Sequence, residues 1–225
     1  MEIEKSHRQY TLTLAIAFGL IWGLLGLSPY NRGDWALENI LVLLLALGIA
    51  CSYRHFRFSP TSCTLIFMFL CIHEVGAHYT YSRVPYDDWW QVLTGRTLND
   101  AMGWQRNHFD RLVHLCYGLM LAYPAREVLV HAARVGGIWS YLLALNFVLS
   151  SSALYELFEW VGGEYFGGDE SAAFVGAQDD IWDAQKDMAL AAFGALVALL
   201  FIAWRHYRRQ PEGKTGPGKQ APEAP

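Results

Sequence analysis

Long apolar stretches separated by short polar segments repeat along the whole chain. Each stretch is long enough to cross a hydrocarbon layer of about 30 Å as a helix that rises about 1.5 Å per residue. No stretch shows the period-two alternation of a transmembrane β-strand, and in lipid only helices otherwise pair all their backbone groups. The pattern predicts an all-α polytopic membrane protein with six transmembrane helices, over residues of about 10–27, 35–51, 61–80, 108–124, 138–160 and 180–204.

Local features predict several helix ends. Ser59 is a suitable N-cap for the third helix, and Pro60 suits its first position. Pro124 is expected to stop the fourth helix, because proline has no backbone N–H to donate. The segment 87–104 carries three tryptophans and is expected to lie at the membrane interface. Residues 205–225 are basic and then rich in Pro, Gly, Lys and Glu, which predicts a disordered tail.

The composition agrees with a membrane protein. Of the 225 residues, 53% are hydrophobic and 17% are charged, whereas soluble domains average about 25% charged residues. An ordinary soluble domain, a disordered chain and a disulfide-stapled secreted module are therefore excluded. The four cysteines lie in or at the ends of apolar stretches without CxxC spacing, as buried structural thiols do. A bridge between Cys71 and Cys116 stays open at this point.

Lysine and arginine are unevenly divided between the two ends of the predicted helices. Cytoplasmic loops are enriched in basic residues, so the richer side is predicted to be cytoplasmic. Both termini, including residues 1–9, then lie in the cytoplasm, and the segments 28–34, 81–107 and 161–179 face outward. Of the 17 basic residues the richer side holds 11 and the opposite loops hold four, namely Arg32, Arg83, Arg96 and Arg106.

Ionisable side chains inside the predicted helices gather at the outer ends of four of them. We therefore expect the third to sixth helices to converge there, while the first two form an apolar wall whose Asp34 and Glu38 are merely interfacial. Residues three or four apart share one face of a helix, so each helix presents a polar face to the bundle interior. Such spacings are Glu74 with His78, Asp110 with His114, Glu156 with Glu159, and Asp183 with Asp187.

The charges at this end do not balance, since about eight carboxylates and four histidines face only two cations. A metal ion, a proton or a cationic ligand is needed to offset such an excess near lipid. Imidazole with carboxylate suits Zn²⁺, Fe or Mn²⁺, whereas clustered carboxylates with asparagine suit Mg²⁺ or Ca²⁺, so the identity of the divalent metal stays open. The predicted metal ligands are His73, Asp110, His114, Glu156, Asp183 and Asp187.

The same residues suggest hydrolytic or transfer chemistry. A metal-bound water can act as nucleophile, a spare histidine or glutamate as general base, and a cation can neutralise an oxyanion. The residues predicted for these catalytic roles are Glu74, His108, Glu159, Arg111 and Lys186. A site at headgroup level favours a lipid or lipid-linked substrate. The chain carries no nucleotide fingerprint, no nucleic-acid partner is expected, and the oligomeric state is undetermined.

Two other functions compete with a membrane enzyme. A small transporter for cations, protons or solutes would need polar residues or broken helices past the midplane, where the sequence offers only Gly118 and Asn146 as unusual residues. A non-catalytic assembly factor would use the acids with Arg111 and Lys186 as a purely structural clasp between helices.

Several blocks of the chain resemble the YjdF-type family of small bacterial inner-membrane proteins. The likeness covers nearly the full length and extends to the family's namesake member. It implies an integral protein of the bacterial inner membrane, and it implies no particular activity. The blocks are MEIEKSHRQYTLTLAIAFGLIWGLL, IHEVGAHYTYSRVPY, NHFDRLVH, ALYELFEWVGG and QDDIWDAQKDM.

Overall fold

The computed structural model describes residues 2–166 and 180–209, and every regular element within them is a helix. The all-α prediction is confirmed for this part of the chain. Most of the segment 161–179 and the predicted tail beyond Arg209 lie outside the described residues. The helices are α1 (Glu2–Gly26), α2 (Arg32–Ser52), α3 (Pro60–His78), α4 (Tyr86–Thr94), α5 (Leu98–Met102), α6 (Phe109–His131), α7 (Gly137–Phe166) and α8 (Asp183–Arg209).

Five of these helices, α1, α2, α3, α7 and α8, are long and apolar enough to cross a membrane. The predicted fourth span falls on α6, which has 23 residues but is not among the five. It carries charged residues near both its ends, namely Asp110, Arg111, Arg126 and Glu127. Six spans and cytoplasmic termini therefore stay predictions.

Local sequence features predict the start of α3 correctly but not the end of α6. Ser59 caps α3 as predicted, since its Oγ accepts from the backbone N–H of Ser62 at 3.3 Å with Pro60 in the first turn. α6 does not stop at Pro124 but continues to His131. A proline inside a helix costs one backbone hydrogen bond, which packing against neighbouring helices offsets in a bundle. The interface segment forms the two short helices α4 and α5.

The central element is α6, which packs against α3, α7 and, most extensively, α8. Small residues allow this close approach. A Cβ added at Gly118 of α6 would collide with the backbone carbonyl of Ala191 in α8, and one added at Gly194 of α8 would collide with the carbonyl of Leu115. Ala195 is fully buried in the same seam. Backbones packed on small residues are typical of membrane helix pairs.

α6 also contacts α3 at the N-terminus of α3, through the side chain of Glu127. The carboxylate of Glu127 accepts from the backbone N–H and the hydroxyl of Ser59 at 3.0 and 3.1 Å, and also from the hydroxyl of Ser62. A partly buried carboxylate that accepts from several donors is a satisfied structural group. Glu127 therefore fixes the start of α3.

The first two helices pack at the side of the bundle, and the cysteines do not cross-link it. α1 and α2 pack mainly on α3, and α1 exposes a row of large apolar side chains such as Leu20 and Leu24, as a lipid-facing helix does. All four cysteines are free thiols, so Cys71 and Cys116 are not bridged.

Candidate functional site

Buried polar side chains are concentrated where α3 ends at His78 and α8 begins at Asp183, which we call the site end of the bundle. The C-terminal part of α7 and the N-terminal turns of α6 also reach this end. The structure brings most of the predicted site residues to it. Those that are buried there are His73, Glu74, Asp110, His114, Glu159, Asp183 and Asp187, and Glu156 is half-buried.

The outermost charges form a connected set of ion pairs, here called the clasp (Arg106, Arg111, Asp180, Asp183, Lys186). Arg111 Nη2 donates to Asp180 Oδ2 at 2.5 Å and to Asp183 Oδ1 at 3.1 Å. Arg106 Nη1 lies 2.8 Å from Asp183 Oδ1, and Lys186 Nζ donates to Asp180 Oδ2 at 2.5 Å. The hydrogen bond from Lys186 holds the pKa of Asp180 well below its usual range. Both aspartates thus have their own cations.

One helical turn further into the bundle lies a different arrangement, here called the inner cluster (Asp110, His114, Glu156, Asp187). One ligand atom each from Asp110, His114 and Asp187 lies within 4.8 Å of the other two. His114 Nε2 is 3.6 Å from Asp110 Oδ1 and 3.4 Å from Glu156 Oε1. These two oxygens and Oδ1 of Asp187 are buried and accept no hydrogen bond. Such oxygens need a cation or a proton.

Ser152 of α7 orients the imidazole of His114. Its Oγ lies 3.5 Å from Nδ1, and Ser152 is almost fully buried. With Nδ1 directed at the hydroxyl, Nε2 faces the carboxylates. Metal-binding histidines commonly fix their tautomer in this way, by donating the second ring N–H to a neighbouring acceptor. The inner cluster therefore combines one oriented nitrogen with three carboxylates, a donor set that suits Zn²⁺, Mn²⁺ or Fe.

His73 lies beside the inner cluster in a second hydrogen-bonded group. Its Nδ1 is 2.6 Å from the hydroxyl of Tyr81, and its Nε2 is buried without a partner. Thr80 and Tyr81 both have positive φ, 53° and 47°, which turns the chain back over Gly76. Left-handed backbone costs non-glycine residues roughly 1–3 kcal/mol each, so this turn is held by its packing. It is the turn that places Tyr81 on His73.

Sequence reasoning missed Tyr81, Tyr155, Glu38 and Arg106. The expectation that α2 is only an apolar wall is wrong, because Glu38 is 3% exposed and accepts from the Tyr155 hydroxyl at 2.7 Å. Asp34 is likewise buried at 6% exposure. The spacing of four residues between these two acids matches the pattern seen in the other helices and could have identified them. Tyrosine carries no comparable pattern.

Four of the predicted catalytic residues lie apart from the inner cluster. Glu74 is fully buried, and Trp35 and Asn39 of α2 lie beside it. The ring of His108 lies against Trp104, with 4.4 Å between ring centroids. Partial burial and the nearby Arg111 lower the pKa of His108. Lys186, like Arg111, belongs to the clasp.

Glu159 is 3% exposed and lies next to Glu156, one turn along the same face of α7. It adds a further buried carboxyl group behind the inner cluster.

A cavity of about 520 Å³ opens beside the inner cluster between α2, α3, α6 and α7. At the site end its wall contains His73, Tyr81, Asp110, His114 and Tyr155. Further from that end the lining is mostly apolar, apart from Tyr117 and Ser151, whose hydroxyls are hydrogen-bonded to each other at 2.5 Å. Volumes of roughly 300–1,000 Å³ are typical of small-molecule sites.

Comparison with known proteins identifies relatives of the whole bundle. Residues 10–208 match the family described as predicted membrane protein (DUF2238). The chain is 34% identical over 199 residues to the inner membrane protein YjdF of Escherichia coli (strain K12), covering 88% of this chain and 90% of that protein. No solved structure matches the chain.

Proposed function

This chain belongs to the DUF2238 family of membrane proteins, and from that premise we propose that it is a metal-dependent enzyme of the bacterial inner membrane. In this proposal Asp110, His114 and Asp187 bind a divalent metal ion, with Glu156 as a fourth ligand. The metal serves hydrolytic or transfer chemistry on a lipid or lipid-linked substrate in the adjoining cavity. Both termini lie in the cytoplasm, so the site end faces outward.

One observation supports the proposal above all others: three buried carboxylate oxygens without hydrogen bonds surround one oriented histidine nitrogen. Uncompensated carboxylates in such surroundings are strongly unfavourable, because desolvation and mutual repulsion both act against the charged form. A divalent cation removes both costs at once and makes use of the imidazole.

We propose fewer metal ligands than the six that the sequence predicts. Asp183 is already bonded to Arg106 and Arg111, so it supports the metal proposal less than Asp187 does. His73 faces Tyr81 and the cavity, where it suits a role towards substrate rather than metal. Glu159, directly behind Glu156, is the nearest candidate for a general base.

The test is metal analysis of the full chain purified in detergent without added metal, followed by titration with Zn²⁺ or Mn²⁺. We expect close to one metal ion per chain in the wild type and its loss in Asp187→Asn and His114→Gln. Asp180→Asn, which alters only the clasp, is the matched control and should keep the metal. Equal metal content in wild type and Asp187→Asn, or none in either after titration, would reject the proposal.

A structural clasp is the second candidate, and the ion pairs of Arg106, Arg111 and Lys186 with Asp180 and Asp183 favour it. It accounts for the charges of Asp180 and Asp183, but it leaves buried oxygens of Asp110, Glu156 and Asp187 without a hydrogen bond. The transporter hypothesis gains less support, because among the described residues the cavity lining turns apolar beyond Tyr117 and Ser151.

A further inference from the structure

The cavity next to the inner cluster has a polar end and an apolar body. Along α6 its wall runs from Asp110 to Leu121, a distance of about 16 Å at about 1.5 Å per residue. Leu41 and Leu45 of α2 and Phe147 of α7 line the body. A ligand that fills this space therefore has a long apolar part and a small polar part at the site end.

The charge of the walls determines which polar part can enter. Among the described residues that line the cavity there is no lysine or arginine. Carboxyl groups stand at or just behind its polar end, on Glu38, Asp110 and Glu156. The nearby cations of the clasp are bonded to Asp180 and Asp183. Even with a divalent ion bound, the carboxylates of Glu38, Asp110, Glu156 and Asp187 outnumber its two positive charges. A phosphate or carboxylate headgroup would therefore meet a net negative wall, and like charges brought together cost several kcal/mol.

A buried polar atom of the cavity wall that the proposed metal site does not use has no hydrogen-bond partner. It is Nε2 of His73, a residue that is 5% exposed. When the Tyr81 hydroxyl donates to Nδ1 of His73, the ring proton lies on Nε2 and is available to an acceptor. A hydroxyl or ester oxygen accepts from this N–H without adding charge.

We propose that this cavity binds the apolar chain of a lipid that ends in an uncharged hydroxyl or ester group, and that it excludes lipids with an anionic end. This inference deepens the proposed function by naming the substrate class. It leaves out the oxyanion-neutralising role predicted for Arg111 and Lys186, because those cations are already paired with Asp180.

The experiment compares two lipids with the same chain, monooleoylglycerol and oleoyl lysophosphatidate, on the full-length protein in detergent. Binding is measured by native mass spectrometry on Zn²⁺-treated and chelator-treated samples. We expect monooleoylglycerol to bind about tenfold or more tightly than lysophosphatidate, because only the second carries charge against the carboxylates. Equal or tighter binding of lysophosphatidate would overturn the inference.

Substitutions on α2 locate the binding. Leu45 lines the cavity, whereas Leu44 is 58% exposed on the outer face of the same helix. Leu45→Trp should reduce monooleoylglycerol binding about tenfold by filling the cavity, and Leu44→Trp should leave it unchanged. Leu41→Trp with its neighbour control Leu43→Trp gives an independent pair if Leu45→Trp does not fold. Unchanged binding in a folded cavity variant would overturn the inference.

Metal content, measured in the same samples, separates the two proposals. A preference for monooleoylglycerol without any metal uptake would support this inference and reject the metal site. Metal uptake without a preference between the lipids would reject this inference and leave the metal site supported.

Discussion

The clasp and the inner cluster lie one helical turn apart, use the same types of side chain and differ in how their charges are compensated. On α8, Asp183 contacts two arginines, whereas Asp187, four residues later, has an oxygen without any hydrogen bond. On α6, Arg111 belongs to the clasp, whereas its sequence neighbour Asp110 belongs to the inner cluster. The comparison shows that a count of charges at one end of a bundle does not separate ion-paired carboxylates from carboxylates with an oxygen that accepts no hydrogen bond.

The largest effect is expected from separating α6 and α8, because both groups depend on the alignment of these two helices. Gly118→Ala places a methyl group against the backbone carbonyl of Ala191, which cannot move as a side chain can. We expect a loss of more than about 3 kcal/mol in stability, at or beyond the upper end for overpacking. Thermal unfolding in detergent measures it, and Gly48→Ala, with nothing within 4 Å, is the control. Matching unfolding temperatures for both variants would contradict the described seam.

Zinc addition should distinguish the two groups directly. At a hundredfold excess over Kd, a ligand that binds only the folded state stabilises it by about 2.7 kcal/mol. We expect the wild type and Asp183→Asn to gain this stabilisation and Asp187→Asn to lose it. Without metal, Asp187→Asn should be as stable as the wild type or more so, since it removes a repelling charge. If Asp183→Asn also loses the zinc effect, the clasp is part of the metal site.

Removing a clasp cation should lower the stability of the protein and leave its metal content unchanged. Arg111→Ala leaves Asp180 and Asp183 with fewer partners, and we expect a loss of about 2 kcal/mol, because Arg106 and Lys186 remain and the pairs are partly hydrated. Arg96→Ala is the control, because Arg96 is exposed and lies between α4 and α5. Metal content should stay at the wild-type value. Loss of metal together with an unchanged unfolding temperature would reverse the roles assigned to the two groups.

The smallest effect is an acid-dependent one. The pKa of Asp180 is lowered by its bond to Lys186, so its carboxylate stabilises the folded state above the unfolded pKa of about 3.9. That contribution disappears as the pH falls through the lower, folded pKa. We therefore expect the difference in unfolding temperature between wild type and Asp180→Asn to stay constant from pH 7 to about 5 and to narrow as the pH falls from about 4 to about 2. Parallel curves for the two proteins would show that the bond to Lys186 adds nothing.

Much of the site could be predicted because helix periodicity is local. Glu74, Asp110, His114, Glu156 and Asp187 reach one end of the bundle, as their positions in the apolar stretches indicate. The residues that the sequence analysis missed are ones whose contact partners are distant in the sequence. Glu38 meets Tyr155 across 117 residues of sequence, and no spacing within α2 reports that contact.

The sequence by itself determined the all-α architecture, the α3 cap at Ser59 and the gathering of acids and histidines at one end. Each of these follows from hydropathy, from backbone geometry within a few residues, or from the helical repeat. Only the tertiary structure decided that Arg106 and Arg111 neutralise Asp180 and Asp183, and that Asp187 faces His114 and Asp110 instead. Those pairings depend on how α8 is rotated against α6. That rotation is fixed by the contact of Gly118 and Gly194 with the opposite backbone, and by no local preference of either helix.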